Sequence, residues 1–128
     1  MKKTIKIILS LVITTALLCT TAFAATPRWK NVLSINPSLS VSNGQYSSTV
    51  IGISGTTKID CTLVLYEKNI FGLYSEVSRT SKTYYGGSYT FTGFYNLQSG
   101  KTYKLVTQAT VTSNGYSEYV EDSEIKKV

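Results

Sequence analysis

Histidine is absent from all 128 residues. Without an imidazole the chain cannot build a Ser–His or Cys–His nucleophile pair, nor a histidine metal site. Carboxylates are sparse too. Asp60, Glu67 and Glu76 stand at separated polar positions, and Glu118, Glu121, Asp122 and Glu124 gather near the end, so no spacing suggests the acid pair of a glycoside hydrolase. The chain is expected to be non-catalytic, with no cofactor and no metal. Glu118, Asp122 and Glu124 share strand parity, but they match no calcium-loop motif and read as a solvated face beside Lys126 and Lys127.

Cysteine is nearly missing as well. Of the two, Cys19 lies in an apolar leader, which leaves Cys61 alone and excludes an internal disulfide, so stability must come from packing. Long apolar runs are lacking except at the start. Lys2, Lys3 and Lys6 form a cationic head, Ile7 to Cys19 is an uncharged run of 13 residues, and Ala22-Phe23-Ala24 is a small-x-small cleavage site. This is the layout of a secretory signal peptide cut between Ala24 and Ala25. Thirteen residues fall short of the roughly 20 a membrane-spanning helix needs, so no stable membrane anchor is expected. Leu18 before Cys19 argues against a lipobox, and no wall-sorting motif or apolar tail follows. Residues 1–24 are therefore read as a leader and 25–128 as one exported domain, released or loosely associated with the wall.

Charge of one sign is not strongly dominant. The chain has 13 basic and 7 acidic side chains, but three of the bases leave with the leader. Between residues 25 and 117 eight bases face three acids, a mild preference for anionic surfaces. The bases are scattered, and nucleic acid is not expected as a partner.

What is present is β-branched and aromatic residues between evenly spaced turn signals, with little helical periodicity. Strands are expected at 29–35, resuming at 38–41 after a break at Asn36-Pro37. Others follow at 45–54, 58–68, 73–82 (a polar edge strand), 89–96, 102–112 and 116–125. Asn43-Gly44 and Asn114-Gly115 suit tight type I′ hairpins. Ile59, Cys61, Leu63 and Leu65 form one core face, and Tyr103, Leu105, Thr107, Ala109 and Val111 one side of the clearest strand. Seven short strands in about 100 residues signal an all-β, two-sheet sandwich.

Leu97-Gln98-Ser99-Gly100-Lys101-Thr102-Tyr103, with Ala109 beyond, resembles the L-x-x-G-x-x-Y approach to the penultimate strand of fibronectin type III and related immunoglobulin-like domains. The resemblance implies that Tyr103 forms a tyrosine corner, its hydroxyl bonding back to the preceding loop. No cysteine pair and no third-strand tryptophan mark an antibody domain. Pro27-Arg28-Trp29-Lys30-Asn31, Ser54-Gly55-Thr56-Thr57-Lys58-Ile59 and Gly100-Lys101-Thr102-Tyr103-Lys104-Leu105 also resemble small secreted proteins of clostridia-like Gram-positive bacteria. That family implies no activity.

The aromatic content is the remaining lead, with ten tyrosines in the chain. Exposed rings can stack on sugars or anchor a protein contact. Tyr84 and Tyr85 beside Gly86-Gly87, and Ile70 and Phe71 at a loop tip taken to neighbour them, are the candidate ligand contacts. Trp29 reads as a core plug and Cys61 as a small buried hydrophobe. The expected role is binding an extracellular protein or a wall polymer. A lectin-like carbohydrate module is the alternative, and a secreted toxin or bacteriocin a further one.

Overall fold

The computed structural model describes residues 29–128. The expected leader, its expected Ala24/Ala25 cleavage and the first residues of the expected exported domain lie outside the described residues. Seven strands follow in order: β1 (Val32–Ser40), β2 (Gln45–Gly52), β3 (Thr56–Lys68), β4 (Tyr74–Tyr84), β5 (Ser88–Phe94), β6 (Thr102–Ser113) and β7 (Tyr116–Lys127). They form two antiparallel sheets, β1-β2-β5 and β4-β3-β6-β7, packed face to face. This is a seven-stranded, two-sheet immunoglobulin-like (fibronectin type III-like) β-sandwich.

The interior follows from alternation. Ile59, Cys61, Leu63 and Leu65 of β3 meet Leu105, Ala109 and Val111 of β6, all at most 3% exposed, while the next residues along each strand point outward. In β5 the inward set is Tyr89, Phe91 and Gly93, continued by Tyr95 just past the strand. Val64 and Val106 depart from this pattern. They are direct cross-strand partners on the outer face, flanked in register by Arg79, Tyr66 and Lys104, and both are buried.

Polar groups inside are paired across the gap. The Thr107 hydroxyl donates to Ser48 Oγ at 2.9 Å, joining β6 to β2 in the dry interior. The Tyr46 ring crosses Gly93, its cross-strand partner, and its hydroxyl lies 2.6 Å from Ser78 Oγ of β4. A Cβ at residue 93 would collide with that ring, so glycine there serves close approach.

Two expectations are corrected. Pro37 does not break the first strand, since β1 runs through it with Pro37 opposite Ser48. β1 is an edge strand, and an edge has one side on which a missing N–H costs no ladder bond. The strand expected at 29–35 also begins later: Lys30 and Asn31 are held by side-chain and backbone groups of β6 and β7 before β1 starts. Glu118 accepts the Asn31 N–H at 2.7 Å and the Lys30 N–H at 3.0 Å, and the Asn31 amide donates to the Val111 and Tyr116 carbonyls, each at 2.9 Å. Glu118 is thus a clasp on the chain entry, not part of a solvated acidic face. The polar strand expected at 73–82 is β4, an edge of the four-stranded sheet.

Candidate functional site

Antiparallel pairing places the loops at two ends. The β3–β4 loop lies at one end and the β4–β5 loop at the other, separated by the 11 residues of β4, about 33 Å at roughly 3.3 Å per residue. Ile70-Phe71 and Tyr84-Tyr85 are therefore not neighbours. The two candidate contacts are separate surfaces.

At the β3–β4 tip, asparagine chemistry organises the turn. Asn69 Oδ1 accepts the N–H of Phe71 at 2.8 Å and of Leu73 at 3.0 Å. Its backbone N–H donates to the Leu73 carbonyl and its carbonyl accepts from Gly72, which sits at φ 82° where an L side chain is strained. The turn is held shut by four hydrogen bonds while Ile70, Phe71 and Leu73 stand 91%, 79% and 64% exposed. Phe71 does not fold back onto its own hairpin. Leu73, read from the sequence as the start of a strand, is the third member of this apolar tip.

Lysines lie at the same end of the sandwich, with Glu67 among them. Lys68, Asn69 and Ile70 face Gly100, Lys101 and Thr102 across a concavity of about 430 Å³. Thr102 pairs with Lys127, and Tyr103 with Lys126. Lys101 is bound to Glu67 at 2.8 Å, a hydrogen bond that holds its ammonium above the usual lysine range. Lys68, Lys126 and Lys127 have no ion-pair partner among the described residues.

At the opposite end the tyrosines diverge. Tyr84 is half-buried with its ring stacked on Tyr89 at 4.3 Å, so that face is already occupied. Tyr89 meets Phe91 edge-on, and the Lys82 ammonium lies 5.0 Å from the Tyr89 ring centre. Tyr85, in the loop just past β4, is 75% exposed. One available ring remains of the two.

The three residues given structural roles sit in or against the core. Trp29 packs on it beside the chain entry. Cys61 is 3% exposed, and burial pushes its thiol up to about 12. Tyr103 is fully buried, its hydroxyl accepting the Gln98 N–H at 2.9 Å, which is the geometry of a tyrosine corner.

The carboxylates are dispersed. Asp60 and Glu67 point to opposite faces of β3, about 23 Å apart at roughly 3.3 Å per residue, against the 5–10 Å or so that paired glycosidase acids need. Glu76 is bidentate to Arg79, at 3.0 Å for each bond, and that bond lowers its carboxyl below the usual range. Among the described residues no cluster of three or more histidine, cysteine or acidic side chains could hold a metal, and no helix is long and apolar enough to cross a membrane.

One surface escaped the sequence reading. Outward positions of β1 are Ser34, Asn36, Ser38 and Ser40, and those of β2 are Gln45, Ser47, Thr49 and Ile51. Those of β5 are Ser88, Thr90, Thr92 and Phe94. No charge occurs among these twelve. The outer face of the other sheet carries Lys58, Asp60, Lys68, Glu76, Arg79, Lys104, Glu121 and Lys127. The signal was readable strand by strand as alternate residues lacking charge, but only the sheet order makes them one face.

The class defined by this fold is a fibronectin type III-like sandwich with an exposed apolar tip at its lysine-bearing end. No protein-family model matches the chain, and no curated protein matches it. Among solved structures it is similar to a Fn3-like protein from Clostridium thermocellum, with 14% identity, a TM-score of 0.37, and coverage of 75% of this chain and 88% of that one. It is also similar to a β-glucuronidase of Parabacteroides merdae, with 14% identity, a TM-score of 0.35, and coverage of 74% of this chain. The match spans 13% of that enzyme's length.

Proposed function

We propose that the chain is an exported, non-catalytic binding module that holds an extracellular protein through the β3–β4 tip, in the medium or loosely attached to the wall of a clostridia-like Gram-positive cell. The observation that carries this reading is the tip itself. Three large apolar side chains at 64–91% exposure contribute nothing to the core, and a turn held by Asn69 presents them with little ordering left to lose on binding. A large aromatic anchor seated in a pocket is a usual centre of a protein contact, the part Phe71 takes here with Ile70 and Leu73 beside it as apolar rim. Lys68, Lys126 and Lys127 favour an acidic rim around that pocket.

The test places a photo-crosslinking amino acid at Leu33, outside the tip, and another at Phe71. Crosslinking of one discrete protein from culture supernatant or wall extract at Phe71 and not at Leu33 is expected. Competition by unlabelled protein should remove it, and competition by an Ile70→Ser, Phe71→Ser, Leu73→Ser triple variant should not. Equal competition by the triple variant, with its melting temperature unchanged, refutes the tip as the contact.

A further inference from the structure

We infer that the outer face of the β1-β2-β5 sheet is a binding surface for an uncharged polysaccharide, a second site independent of the β3–β4 tip. The face is a grid of three strands and four rows, in register from Ser34↔Ile51 to Ser40↔Gln45 on one side of β2 and from Ile51↔Ser88 to Gln45↔Phe94 on the other. Strands stand about 4.8 Å apart and same-face residues about 6.7 Å apart along each. No bulge interrupts these rows, so the face is continuous.

Its chemistry is narrow. A protein surface is about one-quarter to one-third charged, so twelve outward positions would ordinarily carry three or so charges. This face carries none, although the opposite sheet carries eight. Ten of the twelve side chains are hydroxyls or amides, each both donor and acceptor. Thr49 and Thr90 bond to each other at 2.7 Å, and Asn36 to Ser34 at 3.2 Å. Ser47, Thr92 and Gln45 make no side-chain hydrogen bond to another described residue, so their donors and acceptors face outward.

Elimination then chooses the occupant. Polyanions, nucleic or otherwise, need cations that this face lacks. A protein interface centres on large aromatic or arginine anchors in pockets, and here the only ring is Phe94 at one corner, 68% exposed. An uncharged polymer rich in hydroxyl groups matches both the absence of charge and the density of short donors and acceptors. Phe94 offers that polymer an apolar ring face. Short hydroxyl side chains also lose little rotamer freedom on binding, so a shallow neutral face can hold a long, repetitive ligand.

The experiment is depletion of the purified protein by insoluble cellulose and by insoluble chitin, at about 0.1 M and about 0.5 M salt. Retention on at least one of them, unchanged by salt, is expected. A Thr49→Lys, Thr92→Lys variant should lose about tenfold or more of that affinity, and a Thr92→Lys single variant part of it, with the melting temperature as the check on folding. The Ile70→Ser, Phe71→Ser, Leu73→Ser variant should be retained like the parent, which separates this site from the tip. No retention on either polymer, retention that high salt abolishes, or equal retention of folded lysine variants overturns the inference. So does a dimer in sedimentation that the lysine variants dissociate, since a second copy would then be the occupant.

Discussion

The bond between Thr107 and Ser48 offers the sharpest test of how the two sheets are held. Both residues are essentially inaccessible, at 1% and 0% exposure, and they face each other from opposite sheets at 2.9 Å. The pair replaced two hydration shells with one hydrogen bond, so its net value is modest, about 1 kcal/mol. Breaking it from one side is different. Thr107→Val keeps the shape and leaves Ser48 with a hydroxyl in a dry interior, at a cost of about 2 kcal/mol, and Ser48→Ala strands the Thr107 hydroxyl at a similar cost. In a chain of this size each single change should lower the melting temperature by about 8–16 °C. The double variant removes both polar groups and should return to within about 1 kcal/mol of the parent. Urea unfolding of the four proteins closes the cycle, and an interaction energy of about 2 kcal/mol or more is expected. If the two single losses instead add within about 0.5 kcal/mol, the hydroxyls are not each other's only relief, and the argument for a dry, polar-bridged interior is wrong.

Two further predictions follow from close packing. Gly93→Ala places a methyl group where the Tyr46 ring crosses β5, so the ring must shift and its bond to Ser78 must break. The expected loss is about 1–3 kcal/mol by thermal melting, and an unchanged melting temperature would show that the ring has room to spare. Cys61 is inaccessible and its thiol keeps its proton up to about 12, so iodoacetamide should modify it only as fast as the protein unfolds. At a pH of about 9, enough to ionise an exposed thiol, labelling of the folded protein should still be far slower than that of the urea-unfolded chain, whereas prompt labelling of the folded protein contradicts its burial.

How much was legible beforehand depended on the range of the interaction concerned. The inward faces of β3 and β6 and the corner at Tyr103 are local patterns, set by two-residue alternation and a seven-residue motif, and they stand in the structure as read. The candidate contacts were half legible. Ile70 and Phe71 are exposed as an apolar tip should be, but nothing local says that Tyr84 turns inward to stack on Tyr89, because that contact depends on where β5 lies relative to β4. Pro37 misled for a related reason. Proline is a break inside a sheet and harmless at its edge, and which strand is the edge is a property of the whole sheet.

Composition and order along the chain by themselves determined that residues 29–128 are built of strands, that no histidine chemistry is open to them, and that their interior needs no disulfide. Those follow from side-chain inventory and from the period of the backbone, neither of which requires knowing what packs on what. Sheet order was decided only in three dimensions. It set β4 beside β3, gave Glu118 to the chain entry, moved the tip 33 Å or so from the tyrosines, and gathered uncharged residues of three distant segments onto one face. The reason is physical: strands distant in sequence pair through backbone hydrogen bonds common to every residue, so partner choice rests on how all the faces bury together.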